Sequence, residues 1–124
     1  MTLLLDTHAL LWWMAGDPRV PPRIEATLQA DGTAFVSAAS IWEIEIKQAR
    51  GRLRVEGDLG EHVASAGLQP LPITFDHAVA AARLPARHAD PFDRMLVAQA
   101  RVEGLVLATC DRRVRQYDVR AVWD

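Results

Sequence analysis

Strand-length apolar runs alternate with helical stretches from one end of this chain to the other, and nothing else in the sequence constrains its fold so tightly. TLLL at 2–5, AFV at 34–36, LQPLPI at 68–73, LVLA at 105–108 and VRAV at 119–122 have strand length. The segments between them carry helix-end signals. Residues 7–15 are closed by the turn GDPR, and PPRIEATLQAD opens on prolines and is followed by Gly32 after Asp31. SAASIWEIEIKQARG has Ser37 or Ser40 as N-cap and Gly51 past its end. Residues 58–66 form another helix, Thr74 caps FDHAVAAARL, and Asp90 with Pro91 opens PFDRMLVAQARVEG. Residues 51–57 read as a basic loop or hairpin, and prolines make 68–73 a short or edge strand. Strands that alternate with helices in this way form an α/β layer fold with a parallel sheet. Its crossovers are right-handed, and its ligands bind beyond the carboxyl ends of the strands.

A length of 124 residues fits one domain, 1–124, with a single packed core. The net charge of −2 gives no general attraction to nucleic acid, so any such binding needs local basic patches or bound cations. Lys47 is the one lysine among the basic residues; the rest are arginine, which suits bidentate phosphate contacts but also follows from base composition. The single cysteine, Cys110, allows no internal disulfide and fits a reducing cytoplasm. No signal peptide is evident, and the apolar runs are too short to cross a bilayer.

In a parallel sheet the ends of the strands and the beginnings of the crossover helices share one edge. Asp6 ends the first strand, and Asp111 follows LVLA. Glu43 lies near the start of the helix after the second strand, and Asp93 in the first turn of the helix leading into LVLA. Four carboxylates from four segments therefore meet on one edge, where they repel unless a cation neutralises them. Oxygen ligands with few lysines select a hard cation, Mg²⁺ or Mn²⁺, which activates water and stabilises an in-line displacement at phosphate.

Each acid also has a plainer role. Asp6 can cap the helix that comes after it, Glu43 can pair with Lys47 at i,i+4, and Asp111 can begin a turn. Asp90 reads as an N-cap, which would make Asp93 the acid of a capping box. Thr7 and Ser40 either orient carboxylates or cap helices, and Thr109 is placed to bond a site carboxylate. Arg94 either positions a phosphate or pairs with Asp90. His8 and His88 are kept off the metal, because an oxygen-rich site needs no nitrogen. Cys110 reads as a core residue rather than a nucleophile. Trp12, Trp13 and Trp42 suggest core packing first and a partner surface second. The arginines at 50, 52 and 54, and at 112, 113 and 115, are phosphate tracks, solvated faces or partner contacts.

LLLDTHALLWW, VSAASIWEIEIKQARGRL, HADPFDRMLVAQA and LVLATCD, in this order and over essentially the whole chain, resemble the PIN-domain ribonucleases, and among them the VapC-type toxins of bacterial toxin–antitoxin pairs. The resemblance implies a three-layer α/β/α sandwich, Rossmann-like, with a short parallel sheet. It also implies a metal-dependent endoribonuclease site at Asp6, Glu43, Asp93 and Asp111. Asp6 and Asp93 would hold the Mg²⁺ or Mn²⁺ directly, and Glu43 and Asp111 directly, through water or through a second ion. The resemblance further implies a VapB-like antitoxin and a homodimer as partners and RNA as substrate, and the cysteine count gives the cytoplasm as compartment. Other readings compete. A phosphoacceptor receiver domain has this length, but it wants a second acid beside Asp6 and a lysine after its last strand. A haloacid-dehalogenase-type phosphatase wants a second aspartate two positions after the first. A silent PIN scaffold that binds RNA or protein is a third alternative.

Overall fold

The computed structural model describes residues 1–30 and 33–124, so Asp31 and Gly32, read as following the second helix, lie outside it. Five strands form one parallel sheet: β1 (Leu3–Leu5), β2 (Ala34–Ser37), β3 (Gln69–Leu71), β4 (Val106–Ala108) and β5 (Ala121–Val122). The helices are α1 (Thr7–Met14), α2 (Pro22–Leu28), α3 (Ala38–Ala49), α4 (Leu59–Ser65), α5 (Phe75–Arg83) and α6 (Pro91–Glu103). A short 3₁₀ turn at Val114–Gln116, which the sequence did not announce, precedes β5. Residues 51–57 form a loop without strand, as one of the two expectations had it.

The sheet order is β3-β2-β1-β4-β5. The chain starts in the centre, winds outward through β2 and β3, then returns to the other side of β1 for β4 and β5. The winding direction reverses between β1 and β4, which is where open α/β sheets form a ligand crevice. Proline-bearing β3 stands at an edge, where the N–H group that Pro70 lacks is best tolerated.

The side-chain alternation of β1 produces three layers. Leu3 and Leu5 face a core shared with α1, α2, α3 and α4 through Leu10, Ile24, Ile44 and Val63. Leu4 faces the opposite core, made with Leu107 of β4, Ala81 of α5 and Leu96 and Val97 of α6. All three leucines are fully buried, so the strand reads as a continuous apolar run rather than an alternating one. Among the described residues no helix is long and apolar enough to cross a membrane.

Candidate active site

Register places the first residues of the site side by side. Leu5 pairs with Ala108, and the Asp6 N–H donates to the Ala108 carbonyl at 3.1 Å, so Asp6 and Thr109 emerge as neighbours at the switch point. Asp6 caps α1, its Oδ1 accepting the Ala9 N–H at 2.8 Å, and it is almost wholly buried. Burial pushes its carboxyl above the ordinary value, with help from the charge on Asp93; a hydrogen bond from Thr109, the Ala9 N–H and the nearby His8 oppose this. The capping role and the site role thus fall on one side chain.

Ser37 caps α3 by accepting the Ala39 N–H at 2.9 Å, and so directs that helix to bring Ser40 and Glu43 to the same edge. Thr7 Oγ1 lies 2.8 Å from Glu43 Oε1 and 3.0 Å from Ser40 Oγ, and all three residues are buried. Thr7 has one proton. The carboxylate can only accept it, so the Ser40 hydroxyl supplies the other bond to Thr7. Glu43 Oε2 also takes Lys47 Nζ at 3.0 Å, the i,i+4 pair expected.

Asp90 caps α6 with Oδ1, which accepts the N–H groups of Phe92 at 2.8 Å and Asp93 at 3.3 Å. Gly104, in the left-handed conformation at φ 69°, ends the helix. Asp93 does not close a capping box: its Oδ2 lies 2.8 Å from His88 Nε2. Desolvation raises the Asp93 carboxyl, and the charges of Asp90 and Glu43 add to this against the hydrogen bond from His88. Asp111 is half-buried and ion-paired. Partial burial pushes it up, but the Arg113 guanidinium and backbone N–H overcome that and hold it below its ordinary value. Its Oδ1 accepts the Arg113 N–H at 2.9 Å in the turn expected there, and its own N–H donates to Thr109 Oγ1 at 3.1 Å.

Two expectations change. Arg94 does not pair with the Asp90 carboxylate among the described residues. Its guanidinium donates to the carbonyls of Ala81, Leu84 and Pro85 and to the Tyr117 hydroxyl, because the end of α5 leaves carbonyls without helical partners. Cys110 is exposed rather than in the core, since it lies just past the end of β4 on the open edge. Desolvation and the charges of Asp6 and Asp111 raise its thiol. His88 was missed as a site neighbour; the five-residue spacing to Asp93 across a helix N-cap was its only trace.

The edge therefore gathers the acids without drawing every side chain into one knot. Ligand atoms of His88, Asp90 and Asp93 lie within 4.8 Å of one another, and Asp6, Glu43 and Asp111 stand outside that group. Lys47 pairs with Glu43 and Arg113 with Asp111, whereas Asp6 and Asp93 have no lysine or arginine ion partner among the described residues. One buried and one half-buried carboxylate, both raised in proton affinity and neither neutralised by a lysine or arginine, are a donor set that a hard dication fits.

A model described as the PIN domain matches residues 3–120. The chain is 32% identical to Ribonuclease VapC22 of Mycobacterium tuberculosis over 94% of its own length and 92% of that protein's. Its fold resembles that in a DNA-bound VapBC2 complex from Rickettsia felis, with a TM-score of 0.71 and 14% identity over 100% of both chains. It also resembles a DNA-bound VapBC complex from Salmonella typhimurium, with a TM-score of 0.69 and 18% identity over 98% of this chain and 97% of that one. The receiver and phosphatase readings fall with these matches. A parallel sheet with an acidic switch point, a family model spanning nearly the whole sequence and a relative aligned over most of both chains agree on one assignment: the chain belongs to the PIN-domain family.

Proposed function

We propose that this chain is a metal-dependent endoribonuclease that hydrolyses RNA phosphodiesters and acts as the toxin of a type II toxin–antitoxin pair. The observation that carries the reading is buried Asp6 at the topological switch point with half-buried Asp93 near enough for its charge to add to the rise in Asp6, both raised in proton affinity and neither paired with a lysine or arginine among the described residues. Asp6 and Asp93 are the direct ligands in this reading, with Glu43 and Asp111 binding directly or through water. Mg²⁺ or Mn²⁺, when bound, supplies an activated water and offsets charge on the phosphoryl oxygens.

The chain's own residues do the rest. Thr109 and the Ala9 N–H hold Asp6 in one orientation. Thr7, backed by Ser40, holds Glu43 from one side and Lys47 holds it from the other. Beside them a groove of about 410 Å³ opens along the same edge, lined by Glu43, Lys47, Arg50, Arg52, Asp90 and Phe92. It brings cations and an aromatic face next to the acids, which suits a single-stranded RNA backbone.

A VapB-like antitoxin and a second copy of the chain are the protein partners. Trp42, 62% exposed, and an apolar groove along Ile41, Val63 and Leu68 offer them surface. The compartment is the cytoplasm, where an exposed Cys110 stays reduced. Residues 1–124 form one PIN domain, because β1 faces both cores; a single unfolding transition seen alike by circular dichroism and tryptophan fluorescence checks this.

Cleavage of labelled RNA by purified protein with Mg²⁺, Mn²⁺ or EDTA, beside Asp93→Ala, tests the activity. Metal-dependent cuts that vanish in the variant support the nuclease. No cutting by folded, antitoxin-free protein across diverse RNAs favours the silent scaffold.

A further inference from the structure

Asp93 reaches the acidic edge on a side chain with two torsions, and a carboxylate ligand turns freely unless one of its oxygens is held. His88 is in place to hold it. Its Nε2 lies 2.8 Å from Asp93 Oδ2, and a carboxylate oxygen can only accept, so Nε2 carries the proton and donates. The imidazole is itself confined, with 8% of its side chain exposed.

The segment that carries His88 is fixed from the far side. The Tyr117 hydroxyl donates to the His88 carbonyl at 3.2 Å, and Arg94 Nη1 lies 3.2 Å from the Tyr117 oxygen. The same guanidinium donates to the carbonyls of Ala81 and Leu84, each at 2.9 Å, and of Pro85 at 2.8 Å. Arg94, the residue after Asp93, thus clamps the end of α5 and the start of the loop to α6. Tyr117, 4% exposed, carries the clamp to His88. Asp90 fixes the other end of the loop by capping α6.

We propose that His88 is a positioning residue for Asp93: Arg94 and Tyr117 fix the loop, the loop fixes the imidazole, and the imidazole holds Asp93 Oδ2 so that Oδ1 is free for a divalent cation. The inference rests on the reading of Asp93 as a metal ligand. Arg94 then has a function that neither a phosphate contact nor a pair with Asp90 describes. Ligation through Nε2 would require that nitrogen to lose its proton and leave Asp93, and ligation through Nδ1 is the alternative that the test separates.

The test is calorimetric titration of the whole purified chain with Mn²⁺, for wild type, His88→Ala, His88→Gln and Tyr117→Phe, with circular dichroism to confirm folding. Glutamine places an amide N–H near the position of Nε2. His88→Ala is expected to weaken Mn²⁺ binding about tenfold or more, the usual effect of removing a partner that orients a ligand. His88→Gln recovers most of the loss, and Tyr117→Phe falls between wild type and His88→Ala. Electron spin echo spectra of bound Mn²⁺ show no histidine nitrogen coupling. Unchanged affinity in His88→Ala overturns the inference, as does a folded His88→Gln no better than His88→Ala, or a nitrogen coupling that His88→Ala removes. Should His88→Ala not fold, Tyr117→Phe decides: weaker Mn²⁺ binding than wild type supports the inference, and unchanged affinity overturns it. Wild-type protein that binds no Mn²⁺ instead overturns the metal reading of Asp93, and the inference with it.

Discussion

At the scale of single residues the site is a set of side chains that each do two things. Asp6 caps a helix and points a buried charge at the sheet edge, and Glu43 pairs with Lys47 while accepting from Thr7. The capping and pairing roles were visible in the sequence because they depend on neighbours within four positions. The hydrogen bonds from Thr109 to Asp6 and from Thr7 to Glu43 depend on strand register, which no local pattern states. The raised carboxyls have a consequence for stability. A group that holds its proton more tightly folded than unfolded favours the folded state at low pH, and that contribution is lost as pH rises through its folded value. Metal-free protein is therefore destabilised by Asp6 and Asp93 near neutral pH. Asp111, held below its ordinary value, acts in the opposite sense, with stability present above its unfolded value and lost as pH falls, but the exposure of its partner Arg113 screens the effect. Asp6→Asn keeps an oxygen to cap α1 and removes the buried charge. It should abolish RNA cleavage, yet melt at or above wild type in EDTA near neutral pH, where an average substitution costs about 1 kcal/mol. Its advantage should shrink as the pH is lowered toward the range where Asp6 is protonated. A marked drop in melting temperature near neutral pH would contradict the buried-charge account.

Among the elements, three helix starts converge on the ends of β1, β2 and β4. α1 begins one residue after Asp6, α3 begins directly after Ser37, and α6 begins at Pro91 behind Asp90. These starts were legible because caps, prolines and glycines announce themselves locally, and the strands were legible to within a residue or two as apolar runs. The exposure of Cys110 and the use of Arg94 at the end of α5 were not, because both depend on what the fold leaves unpaired. Asp90 stands between two roles, helix cap and metal ligand, and substitution separates them. Its Oδ1 is occupied by two backbone N–H groups of α6, and its charge lies beside Asp93. If its role is the cap alone, Asp90→Asn keeps both stability and Mn²⁺ affinity, because asparagine caps about as well as aspartate. Asp90→Ala loses about 1 kcal/mol of stability. Denaturant melts and Mn²⁺ titration of the two variants measure this, and an asparagine variant that folds well but binds Mn²⁺ poorly would put Asp90 on the metal.

For the molecule as a whole, strand alternation implied the layer order, but the direction of winding came from the structure. The order β3-β2-β1-β4-β5 places the switch point between β1 and β4, and so turns four acids on one edge into a crevice. Charge balance acts at the same scale. A chain with a net charge of −2 and an acidic centre repels a polyanion at long range, so its hold on RNA must come from local cations. Arg50 and Arg52 line the groove beside Glu43 and carry no ion pair among the described residues, which leaves both guanidinium groups available to phosphate. Each phosphate contact on a single strand contributes about 0.7 to the slope of log affinity against log salt. The double variant Arg50→Ala with Arg52→Ala, made in the inactive Asp6→Asn background, should therefore bind labelled single-stranded RNA more weakly at low salt and lower the slope by about 1.4. In the active background the same pair should raise KM more than it lowers kcat, because the lost contacts hold the strand equally before and during the reaction. An unchanged slope would move the RNA track away from this groove, with the exposed arginines at 112 and 113 as the next place to look.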